Sequence, residues 1–344
     1  MAEVAAATTS PAKTMRAVQI TAYDGKPESL RVVDLPLPRP GPGEVLVKVA
    51  TSPINPSDLM FIRGLYGLKK PLPATPGFEG SGTVVESGGG FLPRLLQGKR
   101  VACHAADPKT TGGMWAEYLA TPASACVPLK GSIALEPAAM MLVNPFTAWA
   151  LVGEAQRGGH RAIVQTAAAS ALGRMVVRLA KSRGIPVINV VRRPEQVGLL
   201  RSLGAQHVLD SNSSGFDEIL RNHCRELGAT ISFDAVAGEM SGRVLRAQPK
   251  GSRMVIYGAL SLAAVQVEPG SLVFEEKSVE GFWLSAWLKK RNIITRARIA
   301  GQVQKLLASE LKSEVRARHP LDQAQRALQE YAADMTSGKV LLVP

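Results

Sequence analysis

From about residue 159 to residue 260 the chain alternates short apolar runs with helix-patterned stretches, and this alternation restricts the fold more than any other feature. Residues 161–167 read as an apolar strand, 172–182 as a helix, 186–191 as a strand, 194–203 as a helix and 207–210 as a short strand. Helix 216–227, strand 230–236, helix 239–247 and strand 253–258 complete the series. Strands linked by helical crossovers run parallel and need cover on both faces, so this part is expected to be a doubly wound α/β, nucleotide-binding sheet.

The chain before it has a different pattern. Between Met15 and Val127 short β-like runs are broken by Gly and Pro, as where residues 44–49 follow Pro36, Pro38, Pro40 and Pro42. That predicts a β-rich, partly barrel-like domain. Residues 277–344 contain a helix-forming stretch and end in a strand at 339–343, and are expected to return to the first domain. A chain of 344 residues exceeds what one core usually supports. The expected division is therefore residues 1–127 with 277–344 in one domain and 128–276 in the other.

Hydrophobic residues make up 46% of the chain and charged residues 20%, which excludes a disordered polymer. The net charge of +13 raises the question of a polyanionic partner. Most cations are scattered, with one cluster at Lys289, Lys290, Arg291, Arg296 and Arg298. It reads as a solvated basic face or as a surface steering a phosphorylated cofactor or acyl-carrier substrate, and no nucleic-acid partner is expected. Cys103, Cys126 and Cys224 are far apart, which suits a reducing compartment and supports neither disulfides nor a four-cysteine zinc lobe. Residues 1–14 carry Lys13 as their base and no apolar core, so neither a secretory nor a transit signal is expected. The apolar stretch 138–152 is interrupted by Asn144-Pro145 and falls short of the roughly 20 residues of a membrane helix. A cytoplasmic protein without a membrane partner is expected.

A dinucleotide-binding turn lets backbone amides approach a pyrophosphate, and glycine at three spaced positions makes room for this. Here the turn reads Ala167-Ala168-Ala169-Ser170-Ala171-Leu172-Gly173, with Ala168, Ser170 and Gly173 at the glycine-like spacing. Gly173 permits close helix–strand packing and Ser170 offers a hydroxyl, while Ala171 narrows the room above the helix N-terminus. An ordinary structural βα turn remains open. About 20 residues on, where an acid would accept hydrogen bonds from the ribose of NAD, the chain has Arg192-Arg193. Two guanidiniums there can hold the extra phosphate of NADP by forked contacts, or form a basic loop before a helix at Pro194.

From Met15 to the C-terminus the sequence resembles the quinone oxidoreductase and mitochondrial-type 2-enoyl thioester reductase branch of the medium-chain dehydrogenases/reductases. The resemblance rests on Ile54-Asn55-Pro56-Ser57-Asp58, Asn144-Pro145-Phe146-Thr147-Ala148-Trp149, residues 188–192, residues 202–208 and Gly281-Phe282-Trp283-Leu284-Ser285-Ala286-Trp287. It implies a Rossmann cofactor domain, a GroES-like catalytic domain, NADPH as cofactor and a homodimer. It also places NADPH against Asn144, Ser170, Ala171, Leu172, Gly173, Arg192, Arg193, Tyr257, Gly258, Ala259, Leu260, Phe282, Trp283, Leu284, Ser285 and Lys339. Tyr66, in Gly64-Leu65-Tyr66-Gly67, falls where enoyl reductases place a tyrosine that holds the substrate carbonyl and supplies a proton. The competing reading of Tyr66 is a packed turn aromatic, and that of Phe282 and Trp283 is core or dimer packing. The chain departs from the family at Ala171, where glycine is usual.

Alcohol dehydrogenases of this fold take zinc ligands from a cysteine and from a Gly-His-Glu turn, and the corresponding stretches here read Ser52-Pro53-Ile54-Asn55 and Gly77-Phe78-Glu79. Phenylalanine cannot ligate zinc, so no metal is expected. The expected reaction is hydride transfer from NADPH to a quinone or an activated carbon–carbon double bond. The alternatives are reduction of a 2-enoyl thioester and, from a different class, a catalytically weak nucleotide-binding or interaction protein.

Overall fold

The computed structural model describes residues 13–344. The expectation about a targeting signal concerns positions that, up to residue 12, lie outside the described residues. Two compact units are present: residues up to Leu142 together with Glu314–Pro344, and Val143–Ser313.

In the second unit six strands form one sheet, in the order His207–Asp210, Val187–Val191, Ile163–Gln165, Ile231–Asp234, Arg253–Ile256 and Ser278–Gly281. Every neighbouring pair is parallel. In chain order this is 3-2-1-4-5-6, so the direction of winding reverses between Ile163–Gln165 and Ile231–Asp234. Crevices for ligands open at the carboxyl ends of strands at such a reversal. The sequence explains why the sheet is covered on both faces. Val187–Val191 is buried at all five positions, and alternate side chains enter different cores. Ile188 and Val190 pack with Phe216, Leu220 and Val244, whereas Val191 packs with Val177, Leu200 and Val208.

The expected boundaries at 127/128 and 276/277 move to 142/143 and 313/314. Ser278–Gly281 pairs with Arg253–Ile256 and keeps the helices Leu284–Lys289 and Ile293–Leu306 with the nucleotide-type sheet. Only the chain from Glu314 onward returns to the first unit.

That unit is built on a seven-stranded sheet. Val315–Pro320, Lys339–Val343, Glu44–Pro53, Glu79–Ser87, Arg100–His104 and Cys126–Pro128 follow one another, and Tyr118–Pro122 adds to Glu44–Pro53. Lys339–Val343 lies antiparallel to Glu44–Pro53 through Leu341–Pro53 and Leu342–Ser52, which brings Lys339 beside residues almost 300 positions earlier. One core packs Ile54, Phe61, Phe78 and Trp115 against Leu328, Tyr331 and Leu342. Among the described residues, no helix is long and apolar enough to cross a membrane.

Candidate cofactor and catalytic sites

The turn after Ile163–Gln165 is shaped by three local constraints. Ala167 adopts a φ of 47°, unusual for a residue with a side chain, and bends the chain away from the strand. Ser170 is the N-cap of the helix Ala171–Ser182, its hydroxyl accepting from the amide of Gly173 at 3.1 Å. A Cβ on Gly173 would stand 2.3 Å from the carbonyl oxygen of Ala168, so only glycine permits this close approach of helix to strand. Of the three positions at glycine-like spacing, Gly173 therefore keeps its packing role, while the Ser170 hydroxyl is committed to its own helix. Ala171 and Leu172 begin the helix, where the first amides lack partners within it.

Beneath the turn lies a polar network. Gln165 donates to the Gly173 carbonyl at 3.1 Å and to Asn189 Oδ1 at 2.7 Å, and Asn189 donates to the carbonyls of Val187 and His207. Asp234, buried at the end of its strand, accepts from Thr166 Oγ1 at 2.6 Å, Ser241 Oγ at 2.5 Å and the amides of Val236 and Ala237. It thereby fixes the loop 235–238 and the start of the helix Glu239–Ala247. The loop after Arg253–Ile256 runs alongside, with the amides of Tyr257, Leu260 and Ser261 donating to the carbonyls of Asp234, Ala235 and Val236. Gly258 allows this approach, since a Cβ would meet the Ala235 carbonyl oxygen at 3.0 Å. The Tyr257 hydroxyl is buried without a hydrogen-bond partner, and burial near Asp234 pushes its pKa upward.

Arg192 and Arg193 are exposed at the carboxyl end of Val187–Val191, with Arg193 the N-cap of the helix Pro194–Ser202. The Arg192 backbone is held at both ends: its amide donates to Gln196 Oε1 at 3.2 Å and its carbonyl accepts from Asn212 Nδ2 at 2.8 Å. Asn144 opens the helix Asn144–Arg157 and is buried. Beyond the last strand, Phe282 donates its amide to the Ile256 carbonyl, and its ring lies 6.2 Å from that of Trp287. Trp283 is partly exposed as the N-cap of the helix that holds Leu284 and Ser285. These residues gather on the carboxyl side of one sheet, with close backbone approaches at Gly173 and Gly258 and exposed guanidiniums at one end. That arrangement fits a dinucleotide.

The first unit contributes a buried charged cluster. Asn55 caps the helix Pro56–Ile62; its amide donates to Asp58 Oδ2 at 2.8 Å and its side-chain amide to Glu79 Oε1 at 2.9 Å. Lys339, 1% exposed, donates its ammonium to Asn55 Oδ1. The other Glu79 oxygen accepts the Leu142 amide at 2.8 Å. Burial drives the Asp58 carboxyl up to about pKa 7, although the amides of Asn55 and Phe78 and the charge of Lys339 oppose the shift. Lys70, also buried, donates its ammonium to the Gly112 carbonyl and is lowered to about 8 by desolvation.

Asp58 is linked to Tyr66 through Phe78. It accepts the Phe78 amide at 3.0 Å, and the Phe78 ring lies 4.7 Å from the Tyr66 ring. The helix ends at Ile62, and Gly64 at φ 68° turns the chain so that the Tyr66 amide donates to the Met60 carbonyl. Phe78 thus fills with hydrocarbon the place of the histidine in a Gly-His-Glu turn. Among the described residues no three His, Cys, Asp or Glu side chains are grouped as metal ligands.

Comparison with known proteins agrees with this architecture. The model described as the alcohol dehydrogenase GroES-like domain matches residues 41–131, and the one described as zinc-binding dehydrogenase matches 171–297. The mitochondrial enoyl-[acyl-carrier-protein] reductase of Xenopus tropicalis is 32% identical over 332 residues, 93% of each chain. The medium-chain dehydrogenase/reductase family contains this chain. A putative NADPH:quinone reductase from Mesorhizobium loti superposes with a TM-score of 0.90 at 36% identity, covering 98% of this chain and 100% of the other. A mycobacterial protein solved in complex with NADPH superposes at 0.82 with 28% identity, covering 96% and 100%. Within its family the chain lies in the zinc-independent quinone oxidoreductase and enoyl reductase branch, and it is an NAD(P)-dependent oxidoreductase.

Sequence reading missed the residues that position this medium-chain reductase's loops. Asp234 had a local signal, as an acid closing an apolar strand. Asn189 had one too, as an amide inside a run of valine and isoleucine. Glu79 had none, because only the folded sheet brings it to Asn55; Lys339 was singled out through the family resemblance as a cofactor residue, and its contact with Asn55 had no local signal.

Proposed function

We propose that the chain is a zinc-free, NADPH-dependent reductase that passes hydride to a quinone or to a carbon–carbon double bond conjugated with a carbonyl. The observation that carries the choice of NADPH is the exposed Arg192-Arg193 pair, with the Arg192 backbone held at both ends where an acid would repel a 2′-phosphate. Asn144, residues 170–173, 257–260 and 282–285, and Lys339 are the further residues proposed to hold the cofactor, Lys339 by way of its contact with Asn55.

NADPH, when bound, supplies the hydride. What the chain must add is a donor for the oxygen that becomes negative, and in this reading that donor is the Tyr66 hydroxyl. The enoyl thioester reading draws support from the Xenopus relative and from the loop that carries Tyr66. The test is kcat for quinones and for enoyl thioesters in wild type and Tyr66→Phe, with NADPH affinity measured separately. A quinone product aromatises and its oxygen can take a proton from water, whereas a thioester enolate depends on the donor. We expect a loss of about a hundredfold on enoyl substrates and a much smaller one on quinones. Equal small losses would reduce Tyr66 to a packing residue.

We also propose a homodimer. Ser278–Gly281 is an edge strand, and Leu272, Val273 and Phe274 just before it are exposed, a combination that invites pairing with a second copy. Light scattering giving a monomer mass at micromolar concentration would refute this. Three free, buried cysteines support a reducing compartment, for which the cytoplasm is our reading.

A further inference from the structure

The basic cluster singled out in the sequence plays no part in the sites above, and the structure gives it an apolar tip. The helix Leu284–Lys289 ends in Lys289, Lys290 and Arg291, and Asn292 caps the next helix, Ile293–Leu306, by accepting the Thr295 amide at 2.8 Å. That helix enters the core only from its second turn, where Ile299, Ala300 and Val303 are buried. Before that point Ile293 is 61% exposed and Ile294 is 69% exposed. Two adjacent isoleucines at a helix start, unprotected from water, cost solvation free energy unless something covers them.

The charge along this stretch of chain is of one sign. Residues 281–309 contain Lys289, Lys290, Arg291, Arg296, Arg298 and Lys305 and no Asp or Glu. Lys289, Lys290 and Arg298 are exposed. Arg291 stacks 3.4 Å above the Trp287 ring and donates to the Trp287 carbonyl, and Arg296 donates to the Arg291 carbonyl, so the turn is rigid. Arg291 and Arg183 are each pushed below the usual guanidinium range, first by desolvation and then by the charge of Arg157. Glu154 answers Arg157 at 2.9 Å, but it also serves Arg253.

We propose that this tip docks the protein on an anionic lipid surface, with Ile293 and Ile294 entering the headgroup–acyl boundary and Lys289, Lys290 and Arg298 facing lipid phosphates and carboxylates. Apolar side chains on a basic rim are the combination that holds proteins at such interfaces without spanning them. It departs from the sequence-based expectation of no membrane partner, and it is independent of which substrate is reduced.

The test is co-sedimentation with vesicles of phosphatidylcholine containing 30% phosphatidylserine, against vesicles of phosphatidylcholine alone, at low and high salt. Wild type should bind the anionic vesicles, weaken as salt rises, and bind the neutral ones at least tenfold less well. Ile293→Ser with Ile294→Ser, and separately Lys289→Glu with Lys290→Glu, should each lower the partition coefficient about tenfold or more while leaving reduction of a water-soluble quinone unchanged. As a measurement independent of any variant, brominated acyl chains should quench wild-type tryptophan fluorescence. Equal binding to neutral vesicles, no effect of either variant, or no quenching would overturn the proposal. So would capture of an acidic protein in place of lipid. A fall in mass for the isoleucine variant in light scattering would also overturn it, since a second copy would then cover the tip.

Discussion

In the first unit Asp58, Glu79, Lys70 and Lys339 lie inside the fold, whereas in the second Arg192, Arg193, Lys289 and Lys290 stand on its surface. The two placements suit different tasks. A charge taken out of water must be met by fixed partners, and Asn55, with one side chain touching both Glu79 and Lys339, is such a partner. A surface guanidinium keeps its hydration until an anion arrives and can bind a ligand that comes and goes. On the proposals above, the buried cluster sets geometry, and the exposed cations set what the protein recognises.

The largest effect that sharpens this contrast is expected at Lys339. Lys339→Met removes the cation from a region that keeps the buried carboxyl groups of Asp58 and Glu79, and breaking a buried charged arrangement from one side typically costs about 3–5 kcal/mol. Arg192→Ala should change stability by no more than about 0.5 kcal/mol, as is usual for surface sites. Urea unfolding of both variants checks this. Equal midpoints would mean that the inner charges do not hold the first unit together.

Next comes the pH dependence of Asp58. Its folded pKa, about 7, lies above the ordinary value of 3.8, so the folded chain holds a proton that the unfolded chain releases as pH rises between those values. Stability from this group is thus undiminished below about pH 4 and falls as pH climbs toward 7. The loss reaches up to about 4 kcal/mol, since each tenfold difference in proton affinity between the folded and unfolded chain is worth about 1.4 kcal/mol. Asp58→Asn should abolish that slope. Lys70 works in the opposite sense: its folded pKa is lowered to about 8, so stability rises with pH from there toward 10.5. Urea midpoints of wild type and Asp58→Asn between pH 4 and 7 that run parallel would show that Asp58 is ionised throughout.

What was legible in the sequence follows the same division. The strand Val187–Val191 could be read because five consecutive buried positions leave a local apolar run, and Lys339–Val343, buried at its first four positions, could be read from the apolar run 340–343. The strand Ser278–Gly281 could not. As an edge strand it is mostly exposed, and its pairing with Arg253–Ile256 alone makes it a strand, so nothing local marks residues 277–313 as part of the second unit. The place of Arg192 and Arg193 at the end of Val187–Val191 was legible because it sits at a fixed distance from a turn along the chain. The role of Lys339 beside Asn55 was not, since 284 positions separate the two and nothing local marks their meeting.

For the exposed cations the expected effect is on recognition. Arg192→Ala should remove a charge-assisted contact worth about 1.5–3 kcal/mol and lower the NADPH/NADH ratio of kcat/KM roughly tenfold to a hundredfold. The same loss for both cofactors would show that Arg192 does not meet the 2′-phosphate.

The smallest effect is expected at Ala171, where the chain departs from the glycine usual in its family. Ala171 is the first residue of the helix Ala171–Ser182, in the first turn, whose amides lack intrahelical partners. Nothing in the neighbouring geometry depends on the Ala171 methyl, because Ser170 caps the helix and Gly173 makes the close contact with Ala168. Ala171→Gly should therefore leave the turn intact and cost at most about 1 kcal/mol of stability, the usual penalty for glycine in a helix and less at its first position. Removing the methyl also opens space above the amides, so NADPH should bind slightly tighter, by less than about tenfold. Titration of tryptophan fluorescence with NADPH measures this directly. A gain well beyond tenfold would identify the Ala171 methyl as the main barrier to cofactor binding in wild type.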